Sequence, residues 1–411
     1  MAVAQPRRQP RRRPLTREEA RARQEEKRLR RAKEREAWEL SRGPIDLPFS
    51  LLVLLLTVIG LIMLLSASFP SAYYEYGNPT FFFSRQAEFA VIGVIAMYTV
   101  SKINYERFRG AAEPLLFLSI ILLVLVAIPG IGLVRNNARR WLGIPGVQSF
   151  QFQPSEIAKV AVVLYFADTI SKKKDKMRTV RYGIAPYFLI LLVISGLMML
   201  EPHLSGTVLI LTAGAVLMLV GGIELKWVGI AAAGAGSIAY LMLTGIITYG
   251  QSRISMWQNP WQDAREKGYQ LVQSLISVGS GGLLGVGLGR GSQKFQYLPE
   301  EHNDFIFAIV CEELGLIGAT IIMLLFAALI LRGYWIALHA RDKFGMLTTV
   351  GLITLLAAQV FLNISVVTGL VPNTGISLPF FSYGGTALMI QLAEMGIVLG
   401  VSRQIPAPKQ G

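Results

Sequence analysis

Residues 294–315 gather the side chains best able to do chemistry: Lys294, Glu300, Glu301, His302, Asp304, Glu312 and Glu313, with His302 one of three histidines in the chain. Polar residues run from Tyr297 to Asn303 and meet an apolar helix predicted to begin at Asp304, with Glu312 and Glu313 inside the apolar run. Ionisable groups at membrane depth cost roughly 2.5–3.5 kcal/mol each on insertion scales, so each calls for a function or a buried partner. The stretch therefore reads as one wall of an active site at a membrane surface. Asp304 itself has two readings. In a first helical turn, with Asn303 as N-cap, it gains about 0.3–1 kcal/mol from the helix dipole. At a wet–dry boundary it is a general base. Glu312 falls two turns deeper, roughly 80° round the helix, and Glu313 points the opposite way. Pairing of one or both with a buried base is expected.

A second group is Arg139, Arg140 and Trp141, followed by Gln153, Pro154, Ser155, Glu156 and Lys159. Pro154 suits a first helical turn, which makes Glu156 and Lys159 neighbours on one face. They form either a self-neutralising pair among helices or, with the two arginines, the lining of a phosphate site. A guanidinium offers a planar fork for such a ligand and an ammonium a point charge. The glycine-rich run 278–291 fits neither a Walker A nor a G-x-G-x-x-G pattern, which leaves an anion-binding backbone nest or a packed re-entrant turn. Residues 371–386 break the chain with prolines and glycines, a feature tolerated at membrane depth only inside protein or beside a cavity. Glu201, Pro202 and His203 read as a hairpin with a structural histidine, and His339 has no evident role.

The elements that must position these groups are membrane helices. The chain has 411 residues, of which 53% are hydrophobic, and its mean hydropathy is +0.48. Apolar runs near the length needed to cross about 30 Å of hydrocarbon recur from Leu47 onward. The fold class is all-α and polytopic, since a barrel would show short alternating segments. Ten spans are predicted, at 47–68, 82–100, 113–129, 155–170, 184–200, 205–222, 227–248, 304–331, 347–368 and 377–401. Residues 1–44 form a basic tail that is partly helical and partly disordered, 45–403 the membrane domain and 404–411 a second tail. With the N-terminus inside, cationic junctions such as Lys172, Lys173, Lys174 and Lys176 fall inside, as does the C-terminus. Topology thus accounts for most of the net charge of +14, and nucleic acid is not expected as a partner. Arg139 and Arg140, and the cations of the long outside loop 249–303, break the rule; an anionic ligand is the simplest reason. The lone cysteine, Cys311, excludes an internal disulfide, and no cleavable signal peptide is visible.

Three stretches carry a family resemblance: ARRWLGIPGVQSFQFQPSEIAK at 138–159, GYQLVQSLISVGSGGLLGVGLGRGSQKFQYLPEEHNDFIFAIVCEELG at 268–315 and TGLVPNTGISLPFFSYGGT at 368–386. Together they resemble the SEDS family of peptidoglycan polymerases, over residues 45–403, and its division branch more than its elongation branch. The resemblance implies a GT-C-like fold of ten helices with a large extracytoplasmic loop between spans seven and eight. It also implies polymerisation of lipid II into β-1,4 glycan, with inversion, on the outer face of the bacterial cytoplasmic membrane at the division septum. The family's essential aspartate falls on Asp304, in a motif that here reads His302, Asn303, Asp304, Phe305. Many relatives carry a glutamate where this chain has Gln296, and an acid where it has His203. Implied partners are the lipid II donor, the undecaprenyl-pyrophosphate-linked glycan, a class B penicillin-binding protein and other division proteins.

A sugar diphosphate already has a good leaving group, so one base and a cationic cradle suffice. The expected base is Asp304. The expected substrate and pyrophosphate contacts are Arg139, Arg140, Trp141, Glu156, Lys159, Lys294 and Ser382, supported by Glu300, His302 and Glu312. A divalent cation, Mg or Mn, is an expected addition with Asp304 as a possible ligand. Two other classes remain: a lipid II flippase, which midplane charges would suit, and a scaffold, which has no use for cations opposite a lone base.

Overall fold

The computed structural model describes Leu29 and residues 43–135, 138–143, 151–244 and 251–405. Its helices are α1 (Leu47–Tyr76), α2 (Phe81–Ser101), α3 (Arg107–Ala127), α4 (Pro154–Lys173), α5 (Ala185–Leu200), α6 (Leu204–Gly221), α7 (Leu225–Leu243), α8 (Gln251–Gln258), α9 (Tyr269–Ser280), α10 (Ile306–Leu338), α11 (Lys343–Val367) and α12 (Gly385–Ser402). A helix lies at each of the ten expected places. Among the described residues, eight are long and apolar enough to cross a membrane: α1, α2, α3, α5 with the turn before it, α6, α10, α11 and α12. By length and composition, then, eight of the ten expected spans stand. Of the ten expected spans, the fourth, at α4, lies outside that set because it carries Glu156, Lys159, Asp168, Lys172 and Lys173, which offset its apolar residues. The basic tail, the end of the seventh expected span and the last residues from 406 lie outside the described residues.

The fold is helical, as expected, with one short β element added. Between α3 and α4 a small antiparallel sheet, in the order β1 (Leu133–Arg135), β2 (Ala138–Gly143) and β3 (Gln151–Phe152), occupies what the sequence presents as a loop. Arg139 and Arg140 are consecutive on β2, so the pleat sends them to opposite faces.

Close helix contacts rest on small residues, the usual means by which membrane helices approach one another. An added Cβ at Gly396 of α12 would stand 2.5 Å from the Met97 carbonyl of α2, and one at Gly60 of α1 would stand 2.3 Å from that of Phe380. At the end of the bundle where α1 begins, Asp46 caps α1 by accepting from the Phe49 N–H at 3.0 Å and also takes the Arg332 guanidinium at 2.7 Å.

Two helix starts differ from expectation. α10 begins at Ile306 behind Phe305, so Asp304 sits in the preceding turn and Asn303 is not its N-cap. Asp304 is thus adjacent to the helix N-terminus, where the dipole still acts, but without an Asn303 cap. α12 begins at Gly385 rather than 377, because the prolines and glycines of 372–384 hold the chain in extended and turn conformations.

Helix α10 is interrupted at Gly315, whose φ of 67° and ψ of −171° are not helical. The glycine run covers this break and supplies its missing partners. The Leu316 and Ile317 N–H groups donate to the carbonyls of Gly282 at 2.9 Å and Leu283 at 3.1 Å, while Val286 and Gly287 donate to those of Glu312 and Glu313 at 3.0 Å each. Backbone groups at membrane depth must be satisfied within the protein, and glycine is what lets the strap approach. A Cβ at Gly281 would lie 1.9 Å from the Cys311 carbonyl oxygen, and one at Gly285 would lie 2.1 Å from that of Glu313.

Candidate active site

One cavity of about 1160 Å³ opens at the end of the bundle where α1 finishes and α2, α4, α6, α10 and α12 start. Asp304, Glu300 and His302 line it from the turn before α10, Arg140 and Trp141 from β2, and Glu156 and Lys159 from the first turns of α4. The acid and the cations chosen from sequence therefore face one space.

Asp304 is half-buried and its main chain is clamped. The Asn363 side-chain amide of α11 donates to the Asp304 carbonyl at 2.8 Å and to that of Ile376 at 2.6 Å. Gly375 passes close by, so that a Cβ there would lie 3.3 Å from Asp304 Oδ2. Burial pushes the Asp304 carboxyl up, the negative Glu300 adds to this, and Arg140 and His302 oppose it, leaving it at about 6. A base must be deprotonated to act, so activity should fall as pH drops through that value. The acid limb of kcat/KM is expected near pH 6, with about a tenfold loss one pH unit below it; a limb near pH 4, measured on the purified chain, would contradict this.

The turn carrying Asp304 is braced on both sides. His302 stacks on Phe82 with ring centroids 4.5 Å apart, and its Nδ1 lies 3.4 Å from Glu301 Oε1. Ser71 of α1 donates to the same Glu301 carboxylate. Asn303 Nδ2 donates to Glu300 Oε2 at 2.5 Å, and the Tyr383 N–H donates to the His302 carbonyl at 2.9 Å.

Lys159 and Glu156 form a buried ion pair of 2.7 Å on the cavity wall. The self-neutralising reading of the pair stands, and both side chains also line the cavity. Arg140 donates from Nε to the Glu201 carbonyl at 3.3 Å and from its terminal nitrogen to the Pro202 carbonyl, which fixes the guanidinium at the rim.

Three expected contacts and one supporting residue, Glu312, lie elsewhere. Arg139, on the other face of β2, donates to the Ala127 carbonyl at 3.2 Å and packs over Gly132 instead of lining the cavity. Lys294 is buried, with Nζ 2.6 Å from Glu313 Oε1 and 3.1 Å from Ser66 Oγ. Ser382 Oγ donates to the Asn303 carbonyl and accepts from the Leu378 N–H, at 2.7 Å each, so it holds two loops together. Glu312 accepts from the N–H groups of Ser292 at 2.7 Å and Gln293 at 3.3 Å. The backbone nest suspected in the glycine run is thus filled by the chain's own acids, since Glu313 also accepts from the N–H groups of Gly289 at 3.1 Å and Gly291 at 3.4 Å.

The cavity has further walls that sequence reasoning leaves unassigned. Lys267, Gln270, Trp257 and Asn373 line one side, and Arg85 and Glu88 of α2 the other. Lys267 is one of the cations expected outside, which was its only signal; the amides carry none, because a lone Gln or Asn has no characteristic spacing. Among the described residues, no group of three or more His, Cys, Asp or Glu is placed to hold a metal ion. A divalent cation held by one carboxylate, such as Asp304, together with the phosphates of a substrate, the usual arrangement for magnesium, needs no such cluster.

Known proteins with the same architecture supply a frame for this geometry. Residues 47–406 match the family model for the cell cycle proteins FtsW, RodA and SpoVE. The chain is 44% identical over 359 residues to the stage V sporulation protein E of Bacillus subtilis, covering 87% of this chain and 97% of that protein. It is 40% identical over 362 residues to a probable peptidoglycan glycosyltransferase FtsW of Geobacter metallireducens, covering 88% and 95%. Among solved structures it is similar to a chain of a peptidoglycan synthase complex that coordinates polymerisation and crosslinking, with a TM-score of 0.72 at 27% identity over 88% of this chain and 98% of that one. The rod shape determining protein RodA of Thermus thermophilus superposes with a TM-score of 0.65 at 27% identity, over 89% and 99%. A cavity at one end of the helical bundle, walled by the aspartate turn, the β2 arginine and the α4 lysine, is thus set in a chain that belongs to the FtsW/RodA/SpoVE family of cell cycle proteins.

Proposed function

We propose that this chain is a peptidoglycan glycosyltransferase that polymerises lipid II during septal cell-wall synthesis. The observation that carries the reading is the shared cavity: Asp304, Arg140 and Lys159 all line it. Asp304, poised near neutrality, takes the proton from the acceptor sugar's 4-hydroxyl. The acceptor oxygen then bonds to C1 of the donor, and the C1–O bond to the diphosphate breaks with inversion. Arg140 and Lys159 offset the charge that gathers on the departing undecaprenyl pyrophosphate, the form of electrostatic help that weighs most when water is excluded. Trp141 and Glu156 complete that wall, and Glu300 and His302 set the charge around the base.

Ten spans with both termini inside and the cavity outside suit the charge pattern. Lys102, Arg109, Lys172, Arg332 and Lys343 lie at the ends of helices away from the cavity, where the positive-inside rule wants them. The FtsW relatives support division duty, and the synthase complex supports a class B penicillin-binding protein as partner.

A flippase is the second reading. It is favoured by the buried Glu394 of α12, which interacts with Lys159 and Glu156 below the cavity. Purified chain given lipid II in detergent separates the two. Glycan strands, with the transpeptidase added if needed, are the expected product; a flippase forms none there, and their absence with an intact fold would overturn the polymerase reading.

A further inference from the structure

His203 stands on the wall of the same cavity, and the mechanism above leaves it idle. It precedes α6 and is 7% exposed, and it shares the cavity lining with Arg140 and Lys159, both of which act on its charge. Its backbone is tied down: the N–H donates to the Met198 carbonyl at 2.9 Å, and the carbonyl accepts from Thr207 Oγ1 at 3.0 Å. Gly206 makes room for the ring, since a Cβ there would lie 2.9 Å from His203 Cε1 and 3.1 Å from Nδ1. Among the described residues, the ring's hydrogen-bond contacts are to the Gln153 amide nitrogen, 3.5 Å from Nδ1 and 3.5 Å from Nε2. Equal distances to both nitrogens put the amide over the ring face, in line with neither lone pair. Both nitrogens therefore lack an in-plane partner among the described residues.

The charges that act on this ring are cationic. Arg140 comes from β2 and Lys159 from α4, with Glu156 already taken up by Lys159 at 2.7 Å. The neighbouring Glu201 is buried, which pushes its carboxyl up to about 8 against the pull of Arg140, so it is neutral at pH 7. Burial first, then Arg140 and Lys159, hold the imidazole down at about 3. A multivalent anion placed between the two cations reverses the sign of that field and favours the imidazolium.

We propose that His203 takes up a proton when a sugar diphosphate enters the cavity and then donates a hydrogen bond to the departing diphosphate. The proposal rests on reading the cavity as a diphosphate site. As the acceptor oxygen bonds to C1, the electron pair of the breaking C1–O bond passes to the diphosphate and the hydroxyl proton passes to Asp304. The imidazolium proton, drawn from solvent on binding, stays on His203 facing a diphosphate oxygen and returns to solvent when that product leaves. His203 thereby acts as a catalytic residue on the leaving group.

The test uses the full chain in detergent with inorganic pyrophosphate as probe. Titration calorimetry in buffers of different ionisation enthalpy counts the protons exchanged per pyrophosphate bound. Near pH 6, the wild type is expected to take up roughly one proton more than His203→Gln, which keeps a hydrogen-bonding side chain but cannot be protonated. Equal counts in two proteins that both bind pyrophosphate overturn the role of His203 and leave the cavity reading standing. Failure of the wild type to bind pyrophosphate overturns that reading and the proposal together. If the variant does not fold, the ring NMR signal of His203 in the wild type decides. An upward move of its titration midpoint on adding pyrophosphate supports the proposal, and an unmoved midpoint overturns it.

Discussion

Asp304→Asn is expected to cut lipid II polymerisation by about 10²–10⁴-fold, the range that one positioned base contributes. The amide matches the carboxylate in size but cannot take the acceptor's proton. Stability should hold or rise, and the sign can be worked out. The carboxyl is raised in the folded chain to about 6 from 3.8, so its charged form is disfavoured there and costs stability above that pH. A neutral amide removes the cost. Loss of glycan synthesis with an unchanged thermal transition in detergent is the expected pair of results. A variant that keeps more than a tenth of the activity would remove Asp304 from the mechanism.

The second large effect is on folding. Lys294→Met should destabilise the chain by about 3–5 kcal/mol, the usual consequence of stranding one charge of a buried pair. Glu313 would keep the N–H groups of Gly289 and Gly291 and the Ser66 hydroxyl, but lose the cation that stands 2.6 Å away. Adding Glu313→Leu should recover part of the loss and not all, since the glycine N–H groups would then be orphaned. Thermal unfolding of the single and double variants in detergent checks this; a single variant within about 1 kcal/mol of wild type would show that the pair is dispensable. Lys294 lies ten residues before Asp304 on the same loop, so a loosened pair should also cost activity by misplacing the base.

The candidate residues were legible to different degrees, for reasons that can be traced. Asp304, His302, Glu156 and Lys159 stand out because charge within or beside an apolar run is expensive and needs a cause. The pairing of one deep glutamate with a buried base was also foreseeable on cost alone. Which base was not: Lys294 looked like a ligand contact because it falls on a loop, and only the folding of that loop onto the α10 break brings it to Glu313. Arg139 and Arg140 look equivalent in a row of letters. Strand pairing, absent from a reading that took 130–154 as the link between two spans, sends one to the Ala127 carbonyl and the other to the cavity. The glycine run left a ligand nest and a packed turn both open, and the acids that settle it in favour of packing arrive from twenty residues further along.

The amino-acid sequence by itself determined the material and the plan: apolar runs of membrane length, their order, the loops where cations break the charge rule and the one acid at a wet–dry boundary. These follow from solvation, which acts on each segment alone. Tertiary structure decided which polar groups face ligand space and which face each other. It assigned Lys294, Ser382 and Glu312 to the scaffold and brought His203 into one cavity with two cations that act on it. A charge buried in a bundle must find a partner, and which partner is nearest depends on how all the helices pack rather than on where it stands in the chain.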